Sequence, residues 1–422
     1  MTQPQCQSHM SKLQNRTSRL RYSIAKLYCR AFQVTLWIAS HFLPWRQPEL
    51  LEGPGSLGKL PAFIKNKGIS NVLIVTDHGL AALGLMNSLL EGLTAAGIRY
   101  AVYDRTVPNP TIDNIEEALA MYQANQCNGI IAFGGGSPID CAKGVAARVA
   151  RPRKSIPQMK GLLKVLAKIP PLVAIPTTAG TGSETTLAAV VTNSRTHEKY
   201  ALNDVSLIPH YAVLDPLLTV NLPAHITATT GMDALTHAVE AYIGRGNTAK
   251  TWRYAREAVP LIFENLYTAY TDGTNLDARV KMQKAAFLAG AAFTRAYVGY
   301  THAIAHTLGG FYGVPHGLAN AVILPYILEY FGASAHRPLA ELADLAGISS
   351  PSDTPAQKAA RFITALREMN RKMDIPEKIK GIQEQDIPIM AERALSEAHP
   401  LYPVPKIMTQ QEMIRMYHLI KE

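Results

Sequence analysis

The stretch IIAFGGGSPIDCAK, residues 130–143, decides the fold class of this chain. Its first four residues are apolar and predict a buried strand, the glycines predict a tight turn, and Pro138 suits the first turn of a helix. At such a helix N-terminus, free backbone N–H groups and the positive end of the helix dipole face an anion. The stretch predicts a phosphate-binding turn, although a turn that needs glycine only for its dihedral angles explains it too.

A second loop of the same kind, PTTAGTGSE at 176–184, follows the apolar run 172–175. Its hydroxyls and glycines suit a pyrophosphate or a nicotinamide ribose. Further short apolar runs at 72–76, 100–103 and 211–214 alternate with helical patterns. This alternation predicts a parallel sheet with helices on both faces, and two such loops at strand ends predict a dinucleotide in the crevice there.

Asp77 directly follows the apolar run 72–76. A carboxylate at this place accepts hydrogen bonds from ribose hydroxyls and repels a 2′-phosphate, which favours NAD over NADP. An N-cap of a helix that begins near Leu80 explains the same residue equally well.

Strand patterns end after about Pro223, and long Ala- and Leu-rich stretches such as 285–292 and 319–330 predict helices. The sequence therefore predicts a second, all-helical domain. Five candidate metal ligands fall within it, and they are Asp233, His237, His302, His306 and His316.

The spacing of these five residues predicts a metal site. Asp233 and His237 are four residues apart in a helical pattern, His302 and His306 repeat the spacing, and His316 lies in a turn. Residues four apart share one helix face, and polar groups buried in apolar segments need partners. One carboxylate and several imidazoles suit Fe(II) or Zn(II). Five candidates exceed the usual four ligands, so one is a bystander or a proton carrier, and spacing does not identify it.

Four motifs in this order resemble the iron-containing (group III) alcohol dehydrogenases. They are GGGSPID at 134–140, PTTAGTGSE at 176–184, GMDALTHAVEAY at 231–242 and HAIAHTLGGFYGVPHG at 302–317. The resemblance spans roughly residues 55 to 330 and implies the fold shared with dehydroquinate synthases. That fold joins a Rossmann-like α/β domain to an all-α domain, with the metal in the cleft.

The resemblance also implies roles for individual residues. The implied metal ligands are Asp233, His237, His302 and His316. The implied cofactor contacts are Asp77, Asn109, Gly135, Gly136, Ser137, Asp140, Thr177, Thr178, Thr181 and Lys199. His306 is implied to lie near the metal as a proton carrier rather than a ligand, and Phe293 to form an aromatic wall of the substrate pocket.

These assignments predict an NAD-dependent, divalent-metal-dependent alcohol dehydrogenase or aldehyde reductase. The metal lowers the pKa of a bound alcohol, and the alkoxide passes hydride to C4 of the nicotinamide. Two alternatives are a lyase of the same fold that uses NAD without net redox change, and a non-catalytic membrane-associated or filament-forming scaffold. The lyases resemble dehydroquinate synthases, which usually pair Glu with two His, and a scaffold has no physical need for an intact ligand set.

The net charge of +10 does not indicate nucleic-acid binding, because the charge is concentrated at one end. Residues 1–48 contain seven Lys or Arg and no acid, so the remaining chain carries only +3. Four cysteines without a CxxC pair fit a reducing compartment.

The first fifty residues are predicted to be a basic amphipathic extension, followed by an NAD-binding domain at 51–222 and a helical metal-binding domain at 223–422. The apolar residues of the N-terminal extension recur at helical spacing and form a stripe. They are Leu20, Ile24, Leu27, Ala31, Val34, Ile38 and Phe42. A peripheral membrane contact through residues 12–45 is one interpretation, and others are a helix packed on the body or across an oligomer interface, and a transit peptide. We expect a cytoplasmic homodimer or larger homo-oligomer.

Overall fold

A computed structural model describes residues 3–196 and 198–422, with side chains from Tyr22 onward. In these ranges the strands are β1 Glu49–Glu52, β2 Asn71–Val75, β3 Arg99–Tyr103, β4 Gly129–Gly134, β5 Gly161–Leu162, β6 Leu172–Pro176, β7 Ala188–Thr192, β8 Lys199–Asn203 and β9 Tyr211–Leu214. The α-helices are α1 Gln3–Ser40, α2 Leu60–Asn66, α3 His78–Ala82, α4 Asn87–Ala95, α5 Ile112–Ala124, α6 Gly136–Ala150, α7 Ala224–Ile243, α8 Ala249–Thr271, α9 Leu276–Ala296, α10 Tyr300–Tyr312, α11 His316–Phe331, α12 His336–Leu345, α13 Pro355–Lys372, α14 Ile387–Ala398 and α15 Gln410–Ile420.

Six strands form one parallel sheet in the order β1-β9-β6-β4-β2-β3. The predicted strands β2, β3, β4, β6 and β9 are confirmed. Every residue of β2, β4 and β6 is buried. Central strands of a parallel sheet are covered on both faces, which explains their uninterrupted apolar sequence.

Four strands were not predicted. β1 is a four-residue edge strand whose two glutamates are exposed, so its apolar signal is only two residues long. β5, β8 and β7 form a separate small sheet in which β7 pairs antiparallel with β8. Buried and half-buried residues alternate along β7 and β8, as expected for strands with one covered face.

The second half of the molecule is helical, as predicted. α7, α8 and α9 pack against one another around a core rich in alanine. Small side chains let the helix backbones approach closely. The predicted boundary after residue 222 falls between β9 and α7.

The N-terminal helix α1 packs on the body through a polar face. The hydroxyl of Tyr22 and the amide of Gln33 donate hydrogen bonds to backbone carbonyls near residue 400 and beyond. Beyond Leu20, whose side chain lies outside the described residues, the apolar stripe points outward. Leu27 is 72% exposed, and Phe42, just after the end of α1, is 84% exposed. In the described part of the chain, no helix is long and apolar enough to cross a membrane.

Candidate active site

Three helices bring the four implied metal ligands to one point. Asp233 and His237 lie one turn apart on α7, His302 lies in the first turn of α10, and His316 is the first residue of α11 rather than part of a turn. One potential ligand atom from each of the four lies within 4.8 Å of the others. Oδ1 of Asp233 is 4.0 Å from Nε2 of His237, 3.9 Å from Nε2 of His302 and 3.7 Å from Nε2 of His316.

The donor set fits a divalent cation. Nε2 of His302 is buried and has no hydrogen-bond partner among the described residues. Leaving a buried polar atom without a partner costs free energy, and a metal ion at the centre of the cluster removes that cost. One carboxylate and three imidazoles are hard and borderline ligands, which suit Fe(II) and Zn(II) alike.

The protonation of the cluster also suits metal binding. Burial lowers the pKa of His237 to about 4 and holds the pKa of His316 well below its ordinary value, so both rings are neutral at neutral pH. Burial also disfavours the cationic form of His302, but the hydrogen bond and charge of Glu240 outweigh it and raise the pKa of this ring. A metal and a proton compete for Nε2 of His302, so metal binding weakens as the pH falls.

The glycine-rich turn after β4 lies against the second loop. Gly134 has φ of +148°, and a Cβ there would lie 2.6 Å from Cγ of Pro138, so only glycine fits. A Cβ on Gly136 would lie 3.1 Å from Cγ2 of Thr181. Oγ1 of Thr178 is buried without a hydrogen-bond partner among the described residues. The first turn of α6 and this hydroxyl therefore offer unused donors at the place predicted for the dinucleotide.

A chain of polar contacts continues from α6 towards the small sheet. The backbone N–H of Asn109 donates to Oγ of Ser137 at 3.2 Å, and Nζ of Lys199 donates to Oδ1 of Asn109 at 2.7 Å. Burial lowers the pKa of Lys199. Three predicted cofactor residues are thus connected to one another.

Comparison with known proteins agrees with this geometry. The family model described as iron-containing alcohol dehydrogenase matches residues 48–216, and the model of its C-terminal part matches residues 227–420. The chain belongs to the iron-containing alcohol dehydrogenase family. The family expectation, the fold and the class of oxidoreductase are therefore confirmed.

Relatives of this alcohol dehydrogenase match over most of their length. The 1,3-propanediol dehydrogenase of Klebsiella pneumoniae is 38% identical over 86% of this chain and 95% of its own. The NAD-dependent methanol dehydrogenase of Bacillus methanolicus is 33% identical over 90% of this chain and 99% of its own. The structure of an alcohol dehydrogenase from Oenococcus oeni superposes with a TM-score of 0.86 at 35% identity, covering 89% of this chain and 99% of that one.

His306 lies beside the four-residue cluster of this dehydrogenase and is not one of the four residues whose potential ligand atoms converge. Its ring stacks on that of His316 with the centroids 5.2 Å apart. Its Nδ1 lies 2.7 Å from Oε1 of Glu397, and the hydroxyl of Tyr402 donates to the same oxygen at 2.6 Å. Burial by itself would raise the pKa of Glu397, but His306 and Tyr402 bring it below the ordinary value. This arrangement agrees with the predicted proton carrier, which stays a prediction.

Phe293 lies where an aromatic wall was predicted, with its ring stacked on His237 at 4.1 Å between centroids. Two residues close in sequence to the cluster, Tyr300 on α10 and Arg295 on α9, have partners elsewhere. The hydroxyl of Tyr300 lies 2.7 Å from Nε2 of His399. The guanidinium of Arg295 lies 4.7 Å from the ring centroid of Trp45.

Two predicted cofactor carboxylates already have protein partners. Asp140 accepts hydrogen bonds from Oγ of Ser183 at 2.7 Å and from the N–H of Val190 at 3.0 Å. Asp77 is the N-cap of α3 and accepts from the N–H of Leu80 at 2.9 Å. The N-cap interpretation of Asp77 is thus observed, and one carboxylate oxygen carries that bond. Thr177 is buried, and its N–H donates to the carbonyl of Gly134 at 3.1 Å.

Sequence reasoning missed the residues that support the ligands. Glu240 accepts from Nδ1 of His302 at 2.7 Å, and Nδ2 of Asn320 donates to Oδ1 of Asp233 at 2.7 Å. Such contacts fix the orientation of a ligand and tune its basicity. A signal was available, because Glu240 lies three residues after His237 and Asn320 four after His316 on their helices.

Proposed function

We propose that this protein interconverts a small alcohol and its aldehyde, with NAD as the hydride carrier and Fe(II) or Zn(II) as the metal. The observation that carries the proposal is the convergence of Asp233, His237, His302 and the half-buried His316 in one cluster, in a chain that also builds two glycine-rich loops at strand ends. A bound divalent metal supplies a Lewis acid that polarises the carbonyl oxygen and stabilises the negative charge of the alcohol form.

The ligand side chains would hold the metal and set its charge. One carboxylate and three neutral imidazoles leave a formal charge of about +1 on a divalent ion. Glu240 keeps His302 in the tautomer that presents Nε2 to the metal, since Nδ1 is hydrogen-bonded to its carboxylate. The side-chain amide of Asn320 donates a hydrogen bond to Oδ1 of Asp233 and so fixes the orientation of this carboxylate.

His306 would carry the proton that alcohol oxidation releases. Its Nδ1 is held by Glu397, so Nε2 is the nitrogen left to accept a proton. This ring lies next to His316 and is therefore close to the reacting oxygen without being bound to the metal.

The cofactor would lie with its pyrophosphate at the first turn of α6. Gly135, Gly136 and Ser137 offer backbone N–H groups there, and their partly exposed positions leave room for an anion. Thr177, Thr178 and Thr181 line the other side of that crevice. Asp77 and Asn109, with Lys199 and Asp140, complete the predicted contact set. A carboxylate at Asp77 repels a 2′-phosphate, so we expect NAD in preference to NADP.

Small, uncharged substrates fit the residues next to the metal. Phe293 provides an apolar wall, while the guanidinium of Arg295, a cation two residues later on α9, is stacked on Trp45. Short alcohols are also what the names of the 1,3-propanediol and methanol dehydrogenases imply for those relatives.

The direct test is NADH consumption by the full-length protein loaded anaerobically with Fe(II), over straight-chain aldehydes of increasing length. We expect metal-dependent consumption, with weaker activity when NADPH replaces NADH. The length profile reports the pocket, because each buried CH₂ contributes about 0.8 kcal/mol. Metal-loaded protein that binds NAD tightly but never consumes NADH would instead point to the redox-neutral lyase.

We further propose that the protein is cytoplasmic and touches an anionic membrane surface through residues 12–45. The support is the outward stripe of α1, in which Ile24 is 60%, Leu27 72% and Val34 58% exposed. Residues 1–48 contain no acid, and Lys26 flanks the stripe. Exposed apolar residues beside basic ones are typical of helices that lie in a membrane interface.

Co-sedimentation of the full-length protein with vesicles tests this contact. We expect binding to vesicles that contain phosphatidylserine, weaker binding in high salt, and loss of binding in Leu27→Glu. Thr35→Ala, at an exposed polar residue of α1 that is not one of the apolar residues of the stripe, is the matched control. Failure to sediment at any lipid composition would reject the membrane contact.

The same stripe suits contact between two copies of the chain. We expect a homodimer or larger homo-oligomer, as the family resemblance implies. Sedimentation velocity of wild type and Leu27→Glu measures it. Dissociation of the oligomer in the variant would show that the stripe forms the subunit interface, and it would rule out the membrane contact.

A further inference from the structure

The linker between α14 and α15, residues 399–409, has no regular secondary structure. It contains three prolines, at positions 400, 403 and 405. Proline has no backbone N–H, so a segment with several prolines does not form the regular hydrogen bonds of a helix or sheet. Its carbonyl groups therefore need donors from other parts of the chain.

Side chains of α1 supply several of those donors. The hydrogen bonds are Tyr22 Oη to Ile407 O at 2.7 Å, Arg30 Nη2 to Pro405 O at 3.1 Å, Gln33 Nε2 to Pro400 O at 3.0 Å and Gln33 Nε2 to Tyr402 O at 2.8 Å. The linker is therefore held against α1 at four carbonyl groups along its length.

Gln33 is the central contact. It is only 9% exposed, although it lies on a helix whose opposite face is open to solvent. Both of its amide hydrogens have an acceptor in the linker, and its Oε1 accepts from Nη1 of Arg30 at 2.8 Å. A buried amide with every donor paired fixes the geometry of its partners.

The linker in turn holds the proton carrier. The hydroxyl of Tyr402 donates to Oε1 of Glu397 at 2.6 Å, and the same oxygen lies 2.7 Å from Nδ1 of His306. The ring of His306 stacks on His316 with an interplanar angle of 16°. A continuous series of contacts thus runs from Gln33 through Tyr402, Glu397 and His306 to a metal ligand.

We infer that α1 braces the active site, with Gln33 and Glu397 as positioning residues for His306. Gln33 fixes the backbone on both sides of Leu401, which sets where the hydroxyl of Tyr402 meets Glu397. Glu397 fixes the tautomer and the plane of the His306 ring. The family match begins at residue 48, so this brace uses a part of the chain that lies outside it. The inference rests on the role proposed for His306.

The first experiment compares Gln33→Ala with wild type in the full-length, Fe(II)-loaded protein. We expect kcat for aldehyde reduction to fall about tenfold, the low end of what loss of an orienting contact costs. The KM for NADH and the metal content stay as in wild type, because neither the dinucleotide loops nor the ligands are touched. Hydrogen exchange in residues 399–409 becomes faster. Thr35→Ala, exposed on the same helix, changes none of these.

A double-mutant comparison tests whether the contacts act as one series. Tyr402→Phe removes the hydroxyl that joins the linker to Glu397, so adding Gln33→Ala to it should lower kcat no further. Glu397→Asp should retain more activity than Glu397→Ala, since it keeps a carboxylate for His306. Independent effects that multiply in the double variant would overturn the brace. A normal kcat in Gln33→Ala with faster exchange of the linker would overturn it as well.

Failure of the proposed function gives a different pattern. Wild-type protein that consumes no NADH with any aldehyde contradicts the proposed reaction. Hydrogen exchange alone then tests whether α1 braces the linker. Faster exchange of residues 399–409 in Gln33→Ala but not in Thr35→Ala supports the brace, and equal exchange in the two variants rejects it.

Discussion

Among single residues, His302 is the most sensitive test of the metal site. Its Nε2 faces the cluster and its Nδ1 is held by Glu240, so the ring is fixed in the orientation that a ligand needs. We expect His302→Ala to lose the metal and the activity while keeping the fold. Metal content, NADH consumption and far-ultraviolet circular dichroism measure the three. His225→Ala, exposed on α7, should behave as wild type. A variant that kept metal and turnover would remove His302 from the ligand set.

His306→Ala should separate metal binding from proton transfer. The ring contacts His316 but is held by Glu397 rather than by the ligands, so we expect normal metal content. Turnover should fall by about 10² to 10⁴, as for the loss of a general acid–base group. Metal analysis and steady-state kinetics on one preparation check both. Loss of the metal would make His306 a ligand.

Glu184 gives a pH-dependent prediction for stability. Burial raises the pKa of this carboxyl from 4.5 to about 7 in the folded protein. Between these values the folded state holds a proton that the unfolded state releases, so the free energy of unfolding falls as the pH rises through this window. The loss amounts to about 3 kcal/mol. Glu184→Gln should be free of this loss. Urea unfolding of wild type and Glu184→Gln from pH 4.5 to 7.5 measures this loss, with Glu257→Gln, at an exposed position, as the control. If the free energy of unfolding of Glu184→Gln depended on pH as that of wild type does, the prediction would be contradicted.

At the scale of secondary-structure elements, the close approach of α9 to the second loop depends on two glycines. A Cβ on Gly290 would lie 2.8 Å from both Cα and the carbonyl oxygen of Gly182. Gly290→Ala should therefore push the loop away, lower stability by about 1–3 kcal/mol and weaken NADH binding. Urea unfolding and fluorescence titration with NADH measure these effects. Gly58→Ala, where an added Cβ meets nothing within 4 Å, is the control, and equal behaviour of the two variants would reject the packing argument.

The success of sequence prediction also differed between elements. The strands β4 and β6 were found because every residue is apolar and a glycine turn follows, which leaves no competing helical pattern. β1 was missed because two apolar residues between two exposed glutamates carry no period. Four-residue spacing placed Asp233 beside His237 correctly, since both lie on α7.

For the whole molecule, we expect metal binding to be part of folding stability. Asp233, His302 and His316 come from α7, α10 and α11, so a metal that binds them joins three helices. A ligand that binds only the folded state adds about 2.7 kcal/mol at one hundred times its dissociation constant. Chelation should lower the unfolding temperature of wild type and leave that of His302→Ala unchanged. Calorimetry with and without chelator measures both, and an equal drop in the two proteins would show an effect unrelated to this site.

The sequence by itself determined the α/β and helical halves, the two glycine-rich loops and the four residues that converge as a potential metal site, because these depend on local periodicity and on motifs within one element. Only the tertiary structure decided which distant side chains hold the residues of the site in place. Glu397 is 91 residues from His306, and Gln33 is 369 residues from Tyr402. It also decided that α1 presents its polar face to the body and its apolar stripe to solvent. Such contacts depend on how distant helices pack, and no periodicity within one segment encodes them.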